Sequence, residues 1–200
     1  MRILVATMNT GKLREYQRLL ADVRGIELVT MALLSRPVDV VEDGDTFRAN
    51  ALKKAREIAL VVGVACMADD SGLEVDALGG RPGVRSARYS GEGATDARNN
   101  QKLLQELSEV KDDERTARFR CAIVLVDADG RELASSEGAC EGRIGWQVKG
   151  DHGFGYDPLF IPDGYAQTMA ELGPRTKNAI SHRAKAVTKL VPLLRELRNH

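Results

Sequence analysis

The sequence predicts an α/β fold with a mixed β-sheet and flanking helices, and two observations predict it. Strand-like and helix-like segments alternate over the first third of the chain, which is typical of parallel strands joined by helices. Later, two strand-like segments flank the turn DADG at 127–130, which indicates a hairpin. With 200 residues, 43% of them hydrophobic, the chain suffices for one sizeable core, so we expect a single domain over residues 1–200.

The elements of the first half follow from hydrophobic spacing and turn residues. In order, we predict a strand at 3–6, a helix after the turn at 7–12, a strand at 25–31, a helix at 45–62 and a strand at 62–68. Leu13, Tyr16 and Leu20 give the first helix its apolar side, and Asp45 or Thr46 is the expected N-cap of the second.

The second half has fewer predicted elements and two long glycine-rich loops. We predict a helix at 95–110 capped by Thr95, strands at 117–127 and 131–140, and a final helix at 181–197 kinked at Pro192. The loops lie at 79–93 and 150–155. Long loops on a compact scaffold often carry function, so we expect the site to involve them.

Charge and cysteine content narrow the classes of partner. Lys plus Arg and Asp plus Glu both number 29, so the zero formal net charge argues against nucleic acid or a membrane surface as partner. The three cysteines form no CxxC pair, which argues against a disulfide framework or a thiolate zinc site. The apolar run at the N-terminus is too short for a signal peptide. We therefore expect a cytoplasmic protein.

The stretch TMNTGK at 7–12 is the first candidate for chemistry. A turn that opens a helix presents backbone N–H groups at the positive end of the helix dipole, and Lys12 adds a charge there. These features favour binding of an anion such as phosphate, although the spacing is not that of a Walker A loop. An ordinary connection with a surface lysine is the alternative.

The second candidate is the acidic pair Asp69 and Asp70, which follows the apolar segment 62–68. We expect at least one carboxylate at the carboxyl end of that strand, where α/β sheets usually open their binding cleft. Neighbouring like charges are costly unless a cation or donors compensate them, and Mg²⁺ held by oxygen ligands would do so. The alternative places one aspartate in solvent and uses the other to cap a turn.

The third candidate is GDHGFGYDP at 150–158, where glycines surround Phe154 and Tyr156. Aromatic rings of this kind can stack on a planar base, and glycine lets the backbone approach a ligand closely. A structural loop with two core aromatic side chains is the alternative.

The fourth candidate is RTKNAISHR at 175–183, which we place at the entry of the final helix. Its basic residues are Arg175, Lys177, His182 and Arg183. Positive charge at a helix N-terminus opposes the helix dipole, which suggests an external anion or a polar ligand as compensation. A solvated basic turn is the alternative.

Together these segments resemble the inosine triphosphate pyrophosphatase family of Ham1/RdgB type, whose members hydrolyse non-standard purine triphosphates to monophosphate and pyrophosphate. The matching segments, in the family's order, are TMNTGK, DTFRANALKKA, ADDSGLEVDALGGRPGVRSARYSG, GFGYDPLF and KNAISHRAKA. The resemblance implies two lobes around a central cleft, ITP, dITP and XTP as substrates, Mg²⁺ as cofactor, and a homodimer.

The resemblance also implies roles for individual residues. The catalytic acid and metal ligand is Asp70, with Glu42 as a further metal ligand and Lys54 near the phosphates. Beside the resemblance, Asp69 is a further candidate metal ligand as the neighbour of Asp70. The implied substrate contacts are Thr7, Met8, Asn9, Thr10, Gly11, Lys12, Ser71, Phe154, Gly155, Tyr156, Asp157, Lys177, His182 and Arg183. One departure is that Val41 precedes Glu42 where relatives often have a second acid.

The expected mechanism is attack of water on the α-phosphorus, with Asp70, or Asp69 through the metal, as the acceptor of its proton and Lys12 steadying the leaving pyrophosphate. Donors from His182 or Arg183 would favour a 6-oxo purine over adenine, and Phe154 would stack on the ring. Two other functions remain open. One is a regulatory module that binds a nucleotide without hydrolysis, and the other is a pyrophosphatase for other modified nucleotides.

Overall fold

A computed structural model of the chain describes residues 1–33 and 38–198 and shows one six-stranded sheet. The strands are β1 (Arg2–Val5), β2 (Glu27–Thr30), β3 (Cys66–Val75), β4 (Thr116–Val126), β5 (Glu132–Ile144) and β6 (Phe160–Pro162). Their order in the sheet is β2-β1-β3-β4-β5-β6. Strand β1 pairs in parallel with β2 and β3, whereas β5 and β6 are antiparallel. The predicted α/β fold with a mixed sheet is confirmed.

Five α-helices accompany the sheet in the described part of the chain. They are α1 (Thr10–Leu19), α2 (Phe47–Val62), α3 (Asp96–Glu106), α4 (Met169–Ile180) and α5 (His182–Arg198). The N-caps predicted for two helices are confirmed. The hydroxyl oxygens of Thr46 and Thr95 accept hydrogen bonds from backbone N–H groups at the starts of α2 and α3. Helix α5 continues through Pro192.

Strand β3 is longer than predicted, and this changes the position of the acidic pair. We expected Asp69 and Asp70 to follow the strand, but they lie in its middle. The parallel pairing with β1 ends at Met67, because β1 itself ends at its partner Val5. The two carboxylates therefore lie beyond the carboxyl end of β1, and the strand that carries them continues.

Two elements were missed by the sequence analysis, namely β6 and α4. The segment of Arg175 and Lys177, expected as a turn, is the second half of α4. This helix is interrupted at Gly173, whose φ of 73° lies in the left-handed region, and Pro174 follows. A Gly-Pro pair normally indicates a break, which is why the sequence predicted no helix there.

Contacts divide the chain into two compact units, each with its own core. Unit 1 comprises Met1–Asp70, Cys121–Gly138 and Arg183–His200, and unit 2 comprises Ser71–Arg120 and Ala139–His182. In unit 1, Ile3 and Val5 pack into one apolar cluster and Leu4 into a second, so both faces of β1 are covered. Unit 2 has a cluster of its own. Among the described residues, none of the helices is long and apolar enough to cross a membrane.

Candidate active site

The predicted phosphate-binding turn at 7–12, called the phosphate turn below, leads into α1 in unit 1. The side chain of Asn9 caps the helix, since its Oδ1 accepts the backbone N–H of Lys12 at 3.1 Å. The hydroxyl oxygen of Thr7 in turn accepts the backbone N–H of Asn9. Met8, Asn9 and Thr10 are exposed, whereas Thr7, Gly11 and Lys12 are half-buried. The turn is ordered by its own side chains, with its exposed edge at the positive end of the helix dipole.

Asp69 is almost fully buried and lies between two cations. Its Oδ2 is 2.9 Å from Nζ of Lys12 and 3.2 Å from Nη2 of Arg183. Burial by itself raises the pKa of this carboxyl, but the charges of Lys12, Arg183 and Lys54 outweigh burial and hold the pKa well below its usual range. Asp69 is therefore a fixed negative charge, and Lys12 is directed at this charge in the structure.

The guanidinium of Arg183 joins Asp69 to a second buried acid. Its Nη1 donates to Oε2 of Glu15 on α1, and the side chain is 1% exposed. The charge of Arg183 is compensated by the chain itself, so it does not require the external anion or polar ligand that the position of this segment suggested. Its implied role as a base contact stays a prediction.

Asp70 has a different environment from its neighbour, although it too is buried. Nδ2 of Asn50 donates to its Oδ2 at 2.9 Å. Burial raises the pKa of Asp70, Glu42 raises it further, and the hydrogen bond from Asn50 with the charges of Lys12 and Lys54 only partly opposes this. The alternative that put one of the two aspartates in solvent is wrong.

Asn50 on α2 is a site residue that the sequence analysis missed. Its Oδ1 accepts the backbone N–H of Gly44 at 2.7 Å. The side-chain amide of Asn50 thus links the backbone at Gly44 to the carboxylate of Asp70. A Cβ at position 44 would lie 2.7 Å from that oxygen, and only glycine permits the approach. A signal was present, since Asn50 is a polar residue three positions after Phe47 within the apolar stripe of α2.

Glu42 and Lys54, two further predicted site residues, form an ion pair in unit 1. Nζ of Lys54 is 2.5 Å from Oε1 of Glu42 and donates to the backbone oxygen of Asp69 at 2.7 Å. Both line a cavity of about 280 Å³ that is also lined by Thr7 and Met8. The structure thus brings the predicted metal ligand and the predicted phosphate lysine to the same cavity as the start of the phosphate turn.

In unit 2, Phe154, Asp157 and Lys177 form a second group. Oδ2 of Asp157 accepts the backbone N–H of Phe154 at 2.9 Å and a hydrogen bond from Nζ of Lys177. The same ammonium lies 4.3 Å from the centre of the Phe154 ring. Lys177 is therefore compensated by Asp157, so its charge does not require an external ligand, and its implied role as a substrate contact stays a prediction.

Tyr156 and His182 lie inside unit 2. The hydroxyl of Tyr156 donates to the backbone oxygen of Ser86, and its ring belongs to the apolar cluster of this unit. The imidazole of His182 stacks on Phe119 with ring centres 4.8 Å apart. Any contact of Tyr156 with a substrate would therefore involve its backbone, and the implied roles of both residues stay predictions.

The remaining polar residues of β3 have separate surroundings. Ser71 is half-buried and is the first residue of unit 2. Asp76, just after the strand, accepts hydrogen bonds from Arg118 and from the hydroxyl of Thr116, and Glu74 lies 3.8 Å from Arg118. Glu74 and Asp76 thus compensate an arginine of β4.

The chain belongs to the Ham1 family, whose model matches residues 3–193. It is 48% identical to a dITP/XTP pyrophosphatase of Desulforamulus reducens over 200 residues, covering 100% of this chain and 98% of the relative. It is 51% identical to the dITP/XTP pyrophosphatase of Geobacillus kaustophilus, covering 94% and 91%. Its fold matches a HAM1 protein from Coxiella burnetii with a TM-score of 0.88 and 42% identity, covering 98% and 99%.

Proposed function

We propose that this protein hydrolyses the non-standard purine triphosphates dITP, XTP and ITP to monophosphate and pyrophosphate, and so removes them from the nucleotide pool. Membership of the Ham1 family and the names of the relatives support this proposal. The observation that carries it is the pair of adjacent buried aspartates, of which one is held ionised by cations and the other has a raised pKa. Adjacent acids with such divergent environments are typical of a catalytic site.

The residues of unit 1 fit a divalent cation. Around the acidic pair, the charged side chains are the buried Glu15, Asp69, Asp70 and Arg183 and the half-buried Glu42, Lys12 and Lys54. With all of them ionised, negative charge is in excess, so an anionic triphosphate would be repelled unless a cation came with it. No ready cluster of three metal-ligating side chains occurs within the described residues. Mg²⁺ does not need one, because it commonly uses one or two carboxylates with substrate phosphates and water.

Asp70 and Glu42 are the proposed Mg²⁺ ligands. Asp69 fits this role less well, because its Oδ2 already faces Lys12 and Arg183. When bound, Mg²⁺ would neutralise phosphate charge and so permit a nucleophile to approach. The carboxylates would supply the hard oxygen ligands that this ion prefers.

In the proposed reaction, Asp70 accepts a proton from the attacking water. A carboxylate with a raised pKa is a stronger base than an exposed one, and Asn50 fixes its orientation. The water oxygen forms a bond to the α-phosphorus, the bond from that phosphorus to the bridging oxygen breaks, and pyrophosphate leaves with the electron pair. The start of α1 binds the phosphate groups through its N–H groups. Phe154 and its neighbours contact the base.

Substitution of Phe154 by alanine tests the assignment of the base contact. Loss of ring stacking is expected to raise the KM for dITP by about tenfold, with a much smaller change in kcat. Steady-state kinetics measure both constants. Tyr165→Ala, at an exposed aromatic residue of the same unit, is the matched control and should behave as the wild type. An unchanged KM in Phe154→Ala would remove Phe154 from the site.

A panel of triphosphates tests the proposed activity as a whole. Pyrophosphate release is measured for dITP, XTP, ITP, the four standard deoxynucleoside triphosphates and modified pyrimidine triphosphates, with Mg²⁺ or with EDTA. We expect release from the 6-oxo purines other than guanine, and only with Mg²⁺. Binding without release would indicate a regulatory module, and preference for a pyrimidine would contradict the proposed substrate class.

We also propose a homodimer in the cytoplasm. The family resemblance implies the dimer. The end of α2 exposes Leu60 and Val61, and Val64 just after the helix is exposed too, so a second copy would cover these apolar side chains. Light scattering after size exclusion should give twice the mass of one chain, and the mass of one chain would contradict the dimer. The cytoplasmic location rests on the three cysteines, which are buried and form no disulfide bond.

A further inference from the structure

Gly155, between Phe154 and Tyr156, is held on both sides by one helix of unit 2. Its backbone N–H donates to Oδ2 of Asp96 at 2.7 Å, and its backbone oxygen accepts from Nδ2 of Asn100 at 2.9 Å. Asp96 and Asn100 are one turn apart on α3, so their side chains project from the same face. We call this pair the Gly155 clamp.

The clamp holds the two peptides that flank Gly155: Asn100 holds the one that joins Gly155 to Tyr156, and Asp96 holds the one that joins Phe154 to Gly155. The N–H group that Asp96 holds belongs to that peptide, and its orientation sets the backbone angle ψ of Phe154. From the other side, Asp157 accepts the N–H of Phe154, and Lys177 lies over the ring. Gly155 has a φ of 64°, which favours glycine, and open space surrounds the position of a Cβ there. The backbone of Phe154 is therefore fixed by hydrogen bonds and not by packing around Gly155.

Stability alone does not account for an asparagine at position 100. The residue is 5% exposed, and its Oδ1 has no hydrogen-bond partner among the described residues. A buried acceptor without a partner costs folding free energy, and leucine, which has the same branching, would avoid this cost. What leucine could not provide is the hydrogen bond to the backbone oxygen of Gly155.

We infer that Asp96 and Asn100 are positioning residues that hold Phe154 in its base-binding conformation before the nucleotide arrives. The inference rests on the proposed function, in which Phe154 contacts the base. A preorganised loop binds its ligand more tightly because less conformational entropy is lost on binding. The clamp therefore contributes to the KM for the nucleotide and to base selectivity, and not to the hydrolytic step at Asp70.

The test combines kinetics with stability in three variants and one control. In Asn100→Leu, loss of one hydrogen bond to the loop is expected to raise the KM for dITP by roughly tenfold. The value of kcat should stay within about twofold, and the melting temperature should be unchanged or higher because the buried Oδ1 is gone. Asp96→Ala, at an exposed position, should raise KM similarly, whereas Asp96→Asn keeps an acceptor and should restore it. Gln101→Leu, on the exposed side of α3, is the control and should match the wild type.

Hydrogen exchange gives a readout that does not depend on activity. The amide of Gly155 should exchange slowly in the wild type and faster in Asp96→Ala and Asn100→Leu. An unchanged KM together with unchanged exchange in folded Asp96→Ala would overturn the inference, and so would a fall in kcat at constant KM. If Asn100→Leu does not fold, the inference is tested by the KM of Asp96→Ala and by its recovery in Asp96→Asn. If the wild type fails to hydrolyse dITP, the proposed function fails, and exchange still shows whether the clamp holds the loop.

Discussion

Asp70→Asn is expected to lower kcat for dITP by about 10²- to 10⁴-fold, because the variant lacks the acceptor for the proton of the attacking water. Asparagine keeps the shape of the side chain and still offers an oxygen to Nδ2 of Asn50. Steady-state release of pyrophosphate measures the loss. Asp22→Asn, at an exposed acid of unit 1, is the control and should retain full activity.

Stability distinguishes loss of a catalytic group from loss of the fold. The pKa of Asp70 is raised in the folded state, so the stability that its protonated form provides is present below the ordinary pKa of 3.8 and is lost as the pH rises through the folded value. At neutral pH the ionised group therefore costs stability, and Asp70→Asn should unfold at the same urea concentration as the wild type or a higher one. Near-normal turnover in this variant would refute the assignment.

Arg183→Met is expected to destabilise the protein by about 3–5 kcal/mol, because it leaves the buried carboxylates of Glu15 and Asp69 without their shared cation. Urea unfolding followed by circular dichroism measures the loss. Arg195→Met, at an exposed position of the same helix, should change stability by less than about 0.5 kcal/mol.

A double variant separates the ion pair from simple packing. If charge compensation is the cause, adding Glu15→Gln to Arg183→Met should recover part of the lost stability, since one of the uncompensated charges is then gone. A loss in Arg183→Met of no more than about 1 kcal/mol would show that solvent or other groups compensate these acids.

The fold was predictable from the sequence wherever local pattern determines local structure. The alternation of strands and helices, the caps at Thr46 and Thr95 and the hairpin at 127–130 were all read correctly. The length of β3 was not predicted, because acidic residues are rare in strands. The acids of β3 are tolerated only through partners that are distant in sequence. Helix α4 was missed for a related reason, since Gly173 and Pro174 locally favour a break.

The residues of the site were easier to predict than the contacts between them. Sequence reasoning selected Lys12, Asp69 and Arg183, but not the ion pairs that join them. Glu15 and Arg183 are 168 positions apart, and no local pattern relates them. Likewise, the Gly155 clamp joins α3 to a loop 55 or more positions away, so only the tertiary structure shows why Asp96 and Asn100 matter.

Hydrolysis of dITP in water enriched in ¹⁸O, with Mg²⁺ present, shows which phosphorus atom the water attacks. Mass spectrometry of the products locates the new oxygen. Attack on the α-phosphorus predicts one labelled oxygen in the monophosphate and unlabelled pyrophosphate, formed in equal amounts. Label in the pyrophosphate, or release of orthophosphate in place of pyrophosphate, would contradict attack of water on the α-phosphorus.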